Sequence, residues 1–492
     1  MHRVVSFLSI DLSFATGFLL EAMDFGGLMK RFFLSNILYM FAISPAISQT
    51  NSIDESEVQW SLAAVGDVIM NRRVLPYDQP SDPAFHDVAN LIRSADAAFM
   101  NLEQSVFRLS DFDGWPAAER GGNYELGPPE VLTDLKIMGF DLYNQANNHT
   151  TDYGVAGLRE TIKLLDELGL VHSGAGENLG WASRPGYLDT AQGRIALIGM
   201  ASSFQTMSRA GEATPDVMGR PGLNPLRVDR RIEASPRTLA MIKQIASAYG
   251  ENSEADRSDP VQLLGTSIVS GDRDQIIENV NGNDQVRILR EIRNATDQAD
   301  YVVVNSHSHE PNNESLTPPD WLVDFTHEAI DAGATTFIVH GPHQLRGVEI
   351  YRGRPIFYSL GNFIFHIETI DPIPSDIREQ YNVGMDALAS EIYDARFEVD
   401  GEGNATVGFP SGQEWYRSVI VMATFRGNAV EELRFHPIEL GWEMPRSQRG
   451  NPRIAPEPLG REIIEHLAEL SAPYGTKIRY ENGIGVWTAD TD

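Results

Sequence analysis

Five sets of polar residues have the types and spacing for chemistry: Asp67, Glu103, Asn147-Asn148-His149, His307 with His309, and His340 with His343. Each set follows a stretch that reads as a strand, as in "WSLAAVGDVIM", "AAFMN", "DLY", "DYVVVNSHSHE" and "TTFIVHGPH". In layered α/β proteins ligands bind beyond the carboxyl ends of the strands, so loops far apart in sequence can meet there. Five of the twelve histidines fall in these sets. Divalent ions of hard to borderline character need carboxylate oxygens that bridge and imidazole nitrogens that complete the shell. Two such ions about 3.5–4 Å apart activate water and steady a developing oxyanion.

Taken one at a time, the sets leave alternatives open. Asp67 follows a glycine and suits a turn or a helix cap as well as a ligand. Glu103 after Asn101-Leu102 suits a turn equally. Asn147-Asn148 can close an Asx turn, and His149 can be a hydrogen-bonded loop histidine. On a strand His307 and His309 share one face, which fits a ligand pair and also fits two half-exposed rings. His340-Gly341-Pro342-His343 is the strongest local feature, because Gly and Pro fix a sharp turn that can bring two imidazoles together. His86, His172, His327, His366, His436 and His466 stand outside the pattern.

Alternating helices and strands must position these residues. "HDVANLIRSADAAFMNLEQSV" reads as a helix and then a strand, and "VLTDLKIMGFDLY" repeats that order. Val155, Leu158, Ile162, Leu165 and Leu168 fall near helical spacing. Strand "GRIALIGMASS", helices "VRILREIRNATDQA" and "DWLVDFTHEAIDAGA", and a hairpin around "YRGR" continue the series, with Gly353 suited to the tight turn. The alternation predicts an α/β layered fold. Between about 205 and 285 the pattern loosens into turn-rich sequence around one helix, which reads as a variable insertion. "YRSVIVMATFRGNAVEELRFHPIEL" reads as a β-hairpin ending the main domain, 61–445, and a Pro-rich C-terminal extension with one short helix occupies 446–492.

The formal charge of −30 excludes a general nucleic-acid binder, because phosphate contacts need clustered Lys and Arg. It also opposes long-range capture of an anionic polymer, unless a basic patch or a bound metal reverses the field locally. The absence of cysteine removes disulfides, thiolate ligands, a Cys nucleophile and a lipoprotein anchor. Any metal must therefore be held by His, carboxylate and amide oxygen. From Met29, "MKRFFLSNILYMFAISPAISQT" has a Lys30-Arg31 start, an apolar stretch short of the roughly 20 residues of a membrane span, and a small-residue end. That pattern predicts a signal peptide over 29–48, with 1–28 an over-extended gene start and 49–60 a linker. The alternative is an uncleaved N-terminal anchor, the one route to membrane association. Either way the body of the chain is expected outside the cytoplasm, periplasmic or secreted.

"AAVGDVIMNRRV", "AFMNLEQSV", "NQANNHTTDYGVAGLRET", "GAGEN", "NSHSHE" and "IDAGATTFIVHGPHQLRGVEIYRGRPIFYSLGNFIF" occur in the order typical of the CapA family, which the chain resembles over about 61–370. The resemblance implies a layered α-β-β-α sandwich of the calcineurin-like metallophosphatase type, and a divalent metal cofactor of one or two Mn, Zn or Fe ions. It implies Asp67 and His343 on a first ion, Glu103 as a bridge, and His307, His340 and Asn148 as further ligands. His149 would be the acid near the leaving group, oriented by Asp152. The chain departs from the metallophosphatase pattern where Val68 and Ile69 follow Asp67 in place of Asp-x-His, and His309 is then an alternative ligand. The implied partner is a capsule or cell-envelope polymer, with poly-γ-glutamate the candidate. The implied function is hydrolysis by metal-activated water; the alternative is a non-catalytic polymer-binding or export-assembly protein on the same fold.

Overall fold

A computed structural model describes residues 58–489 except 75–82, 118–123, 250–259, 372, 397, 400–404, 408–409 and 411. The expected signal peptide, gene start and most of the linker lie outside the described residues. The first strand, β1 (Gln59–Ile69), leads to helix α1 (Pro83–Ile92), β2 (Ala97–Leu102), α2 (Glu130–Met138), β3 (Leu142–Asn144), α3 (Gly154–Glu167) and β4 (Val171–Ser173). A second run follows with β5 (Gly186–Thr190) and β6 (Gly193–Ala201). After the insertion come α5 (Gly282–Thr296), β11 (Tyr301–His307), α6 (Asp320–Asp331), β12 (Thr336–His340), β13 (Val348–Tyr351), β14 (Arg354–Phe357) and β15 (Asn362–Phe365). The hairpin β16 (Arg417–Arg426) and β17 (Ala429–Glu439) completes the main run.

These strands form two large sheets. The ten-stranded sheet has β1 at its centre, flanked by β2-β3-β4 on one side and by β16-β17 on the other. The six-stranded sheet runs β13-β14-β12-β11-β6-β5. Period-2 alternation seats neighbouring residues in different cores. Leu62 and Ala64 of β1, Leu197 of β6 and Val303 of β11 meet between the sheets, where Trp60 stacks on Tyr301 and Phe425. Ala63 and Val65 face the other way, toward Val88, Leu135 and Leu165 of α1, α2 and α3. Ala196, Ile198, Val302 and Val304 face Ile288, Ile292, Trp321 and Phe325 of α5 and α6. The layers are therefore helix, sheet, sheet, helix, an α-β-β-α sandwich as expected.

Three stretches differ from the sequence expectation. The loosened insertion holds a four-stranded sheet, ordered β8 (Val261–Leu263), β9 (Thr266–Ser270), β7 (Val228–Ala234), β10 (Gln275–Val280), beside α4 (Pro236–Ala248). Its strands are short and mostly half-buried, with charges in β7 and β10, so they lack the apolar run that marks a core strand. The stretch after 446 adds β18 (Arg453–Ile454), α7 (Leu459–Ser471), β19 (Arg479–Glu481) and β20 (Ile484–Thr488) to the ten-stranded sheet and its core. His309 lies beyond the end of β11, so it does not share a strand face with His307. The "YRGR" hairpin forms as expected, with Arg352 and Gly353 both at positive φ.

The site depends on what β1 does at Asp67. Up to Ala64 the strand pairs antiparallel with β16, and from Asp67 it pairs parallel with β15, with register shifts on both sides of the change. The Asp67 N–H donates to the Gly361 carbonyl at 2.9 Å. Gly66 makes this approach possible, because a Cβ there would lie 2.1 Å from the Gly361 oxygen. Both contacts are backbone, so neither neighbour can give way cheaply. We expect Gly66→Ala to lower stability by about 3 kcal/mol, read as a shift of the urea midpoint. An unchanged midpoint would show that β15 can move aside.

Candidate metal centre

Parallel pairing sets the candidate residues in two rows. Asn362, Asp67, Asn101 and Asn144 are register partners across β15, β1, β2 and β3. His340 and His307 are partners across β12 and β11. Both rows lie at or near the carboxyl ends of their strands, except that Asn362 opens β15, and there the apolar core gives way to polar loops.

A relay of amides orients the first row. Asn144 Nδ2 donates to Asn101 Oδ1 at 2.7 Å, and Asn147 Nδ2 reaches the same oxygen at 3.4 Å. Asn101 must then turn its own Nδ2 toward Asp67 Oδ1, 2.8 Å away, and His307 Nδ1, 3.1 Å away. The Gly341 N–H donates to the other Asp67 oxygen at 3.1 Å. Asn362 gives its Nδ2 to the carbonyls of His343 and Trp415, so its Oδ1 accepts from His343 Nδ1 at 2.8 Å. His343 holds this pose at a φ of 60°, a left-handed conformation that a non-glycine residue adopts only under constraint.

Glu103 is fully buried, and neither carboxylate oxygen has a hydrogen-bond donor. Its Oε1 lies 3.4 Å from His307 Nε2 and 3.5 Å from His343 Nε2. Burial pushes the Glu103 carboxyl well above its ordinary value, and Asp67 pushes it further. The three imidazoles respond in the opposite sense. Burial lowers His307 well below the usual histidine range, lowers His309, and brings His343 down to about 4. Neutral imidazoles around a carboxylate without donors are the donor set of a cation site, since buried oxygens otherwise find partners. Asn148 Oδ1 is likewise buried without a partner.

Two overlapping triads follow, Glu103-His309-His343 and Asp67-Glu103-His307, with Glu103 in both. They differ in readiness. His309 donates from Nδ1 to Asn313 Oδ1 at 2.6 Å, and His343 donates from Nδ1 to Asn362, so both turn a lone pair on Nε2 inward. His307 accepts at Nδ1 from Asn101, which leaves its proton on Nε2, 3.0 Å from His309 Nε2. The first triad therefore has its tautomers set for an ion, while the second needs His307 to shift its proton.

His340 is not part of this cluster. Its Nε2 donates to the Val65 carbonyl at 2.8 Å, and its Nδ1 accepts from Asn305 Nδ2 at 2.8 Å. Both ring nitrogens are taken, so the His-Gly-Pro-His turn delivers one imidazole to the site and uses the other to join the sheets. The turn places Gly341 and His343 against Asp67, and His340 points to the seam.

His149 stands at the edge of the cluster, 6% exposed and close enough that its charge bears on His307, His309 and His343. Its Nδ1 donates to Asp152 Oδ2 at 2.8 Å. The Glu125 N–H donates to that same oxygen at 2.8 Å. "NQANNHTTDYG" is thus a wall of the site: Asn144 and Asn147 work in the amide relay, and Asp152 steadies His149. Sequence reasoning missed Asn101, Asn313 and Asn362, which orient the ligands. The available signal was position, since Asn101 stands two residues before Glu103 and Asn362 directly follows Gly361.

The bacterial capsule synthesis protein family PGA_cap matches residues 61–367. The uncharacterized protein y4sH of Sinorhizobium fredii is 37% identical over 450 residues, covering 89% of this chain and 94% of that protein. The capsule biosynthesis protein CapA of Bacillus anthracis is 28% identical over 308 residues, 62% of this chain and 59% of its own length. The PGA biosynthesis protein CapA of Bacillus subtilis is 27% identical over 309 residues, 62% of this chain and 63% of its own. Solved structures align loosely: Haemophilus influenzae NAD nucleotidase has a TM-score of 0.30 at 10% identity, covering 83% of this chain and 63% of that one. The match runs from β1 through β15, so it takes in every residue of the two triads and the amides that orient them, and the chain belongs to the bacterial capsule synthesis protein family.

Proposed function

We propose that this protein is a metal-dependent hydrolase in capsule or envelope polymer metabolism, with a polyglutamate chain as its substrate class. The observation that carries the reading is Glu103, a buried carboxylate without donors, faced by imidazoles whose tautomers are fixed by amides. The names of the Bacillus relatives support the polymer. Asp67, Glu103, His307, His309, His343 and Asn148 would hold the metal, with the Glu103-His309-His343 triad the better prepared. A divalent ion bound there supplies Lewis acidity and makes water a nucleophile near neutral pH. His149 has Nδ1 committed to Asp152, so Nε2 is the atom that exchanges a proton and can protonate a leaving group. Asp152 holds that tautomer as a positioning residue. We also infer, from the Lys30-Arg31 start and the apolar stretch after it, that the body of the chain works outside the cytoplasm. Recovery of the mature protein in the cytoplasmic fraction would overturn that placement.

Metal content separates the ligands. After reconstitution with Mn, Zn or Fe, plasma mass spectrometry should find stoichiometric metal in the wild type and a loss in His309→Ala, His343→Ala and Glu103→Gln. His340→Ala should keep its metal and lose about 1–3 kcal/mol of stability, because the Val65 carbonyl loses the His340 N–H and one Asn305 amide N–H loses its acceptor. Metal lost from His340→Ala but kept by His309→Ala would reverse the assignment. In a hydrolysis assay with γ-glutamyl oligomers and phosphoester reporters, His149→Ala should keep metal and lose about 10²–10⁴ in kcat. Unchanged turnover in that variant would remove His149 from the chemistry.

A further inference from the structure

We infer that Arg346 is a positioning residue for the metal centre, acting through the loop that carries His309 and Asn313. This rests on the reading of the cluster as a metal site.

His309 has no secondary structure of its own. It lies in the stretch between β11 and α6, where Pro311, Asn312, Glu314, Leu316 and Thr317 are exposed. Exposed loop of this kind samples many conformations unless something ties it down. His309 must present Nε2 to Glu103 and His343, and Asn313 must accept from its Nδ1, so both need one fixed backbone path.

The tie comes from beneath. Arg346 is fully buried, and its guanidinium donates to three carbonyls of this loop: Nη1 to Glu310 at 3.0 Å, Nη2 to Asn312 at 3.0 Å and Nε to Ser315 at 2.9 Å. Gln344 Nε2 donates to the carbonyl of Asn313 itself. Burial brings the Arg346 guanidinium down to about 10, so it keeps its charge at neutral pH. A planar fork with five N–H donors suits three divergent carbonyls, and a lysine ammonium cannot reproduce that geometry.

Arg346 is itself anchored to the other ligands. Its N–H donates to Ser359 O at 3.2 Å, Leu345 bridges to Leu360, and Asn362 holds the His343 carbonyl at 2.9 Å. The stretch from His343 to Arg346 thus carries one ligand at its start and the clamp for a second at its end. The pose of His309 is referred back, through Arg346, to the frame that sets His343 and Asp67.

Cobalt(II) titration of the full chain, followed by visible absorption, tests the assignment. Wild type should bind Co²⁺ with an intense tetrahedral-type or weaker five-coordinate band. Arg346→Ala should keep its circular dichroism and bind Co²⁺ about 10–100-fold more weakly. Millimolar guanidinium chloride should restore much of that loss, because the free cation fits the vacated cleft. Asn313→Ala removes only the His309 acceptor and should weaken Co²⁺ in the same range, which carries the test if Arg346→Ala does not fold. The double variant Arg346→Ala/His309→Ala should bind no more weakly than His309→Ala alone. Wild-type affinity in folded Arg346→Ala or in Asn313→Ala, or additive losses in the double variant, would overturn the role of Arg346. Failure of wild type itself to bind Co²⁺ would instead remove the metal reading on which the proposal stands.

Discussion

A carboxylate taken fully out of water with no donor on either oxygen is the constraint on which the rest of this structure depends. Neither Glu103 oxygen has a well-formed hydrogen bond, and burial makes its charge costly. Its surroundings are built to the same end. The nearest nitrogens belong to histidines whose own burial keeps them neutral, and the nearest carboxylate, Asp67, is held by an amide and a backbone N–H. Such a cluster has the donor set of a candidate cation site, and the amide relay and the left-handed His343 backbone fix the groups that compose it.

Geometry at the seam follows from β1. The strand exchanges β16 for β15 at the level of Asp67, and Gly66 lets the two backbones touch. This brings Asn362 beside Asp67 and gives His343 its acceptor. The second sheet supplies His307 from the end of β11 and fastens itself to β1 by the His340–Val65 bond. Ligand spacing is therefore decided by sheet packing more than by any local turn.

Much of this was legible in the sequence, because apolar runs that end abruptly in Asp, Glu or His mark strand ends. Asp67, Glu103, His149, His307 and His343 were found on that signal, and the structure brings them together. The His340-Gly341-Pro342-His343 turn was the strongest local feature, yet no local pattern reveals where a ring nitrogen of His340 finds its partner. Here Val65, 275 positions away, takes it. Asparagines were missed for a related reason: Asn101, Asn313 and Asn362 resemble ordinary turn formers until the atom each one faces is known. Strands β7 and β10 escaped notice because charged residues such as Arg230, Arg231 and Glu278 interrupt them, β8 and β9 because they are only three and five residues long, and β19 and β20 because their pairing is settled by tertiary contact.

The two triads join both sheets: Asp67 lies in β1 and Glu103 just beyond β2 of one, while His307 ends β11 of the other and His309 and His343 sit in loops that leave it. An ion held there would cross-link the first and second runs of the chain. Its binding energy would count toward cohesion of the whole sandwich, by about 2.7 kcal/mol when free metal stands at a hundred times its dissociation constant. Resistance to proteolysis would then follow the metal supply of the surroundings. The same sequence would be a sturdier protein in a metal-replete medium and a more fragile one where metal is scarce.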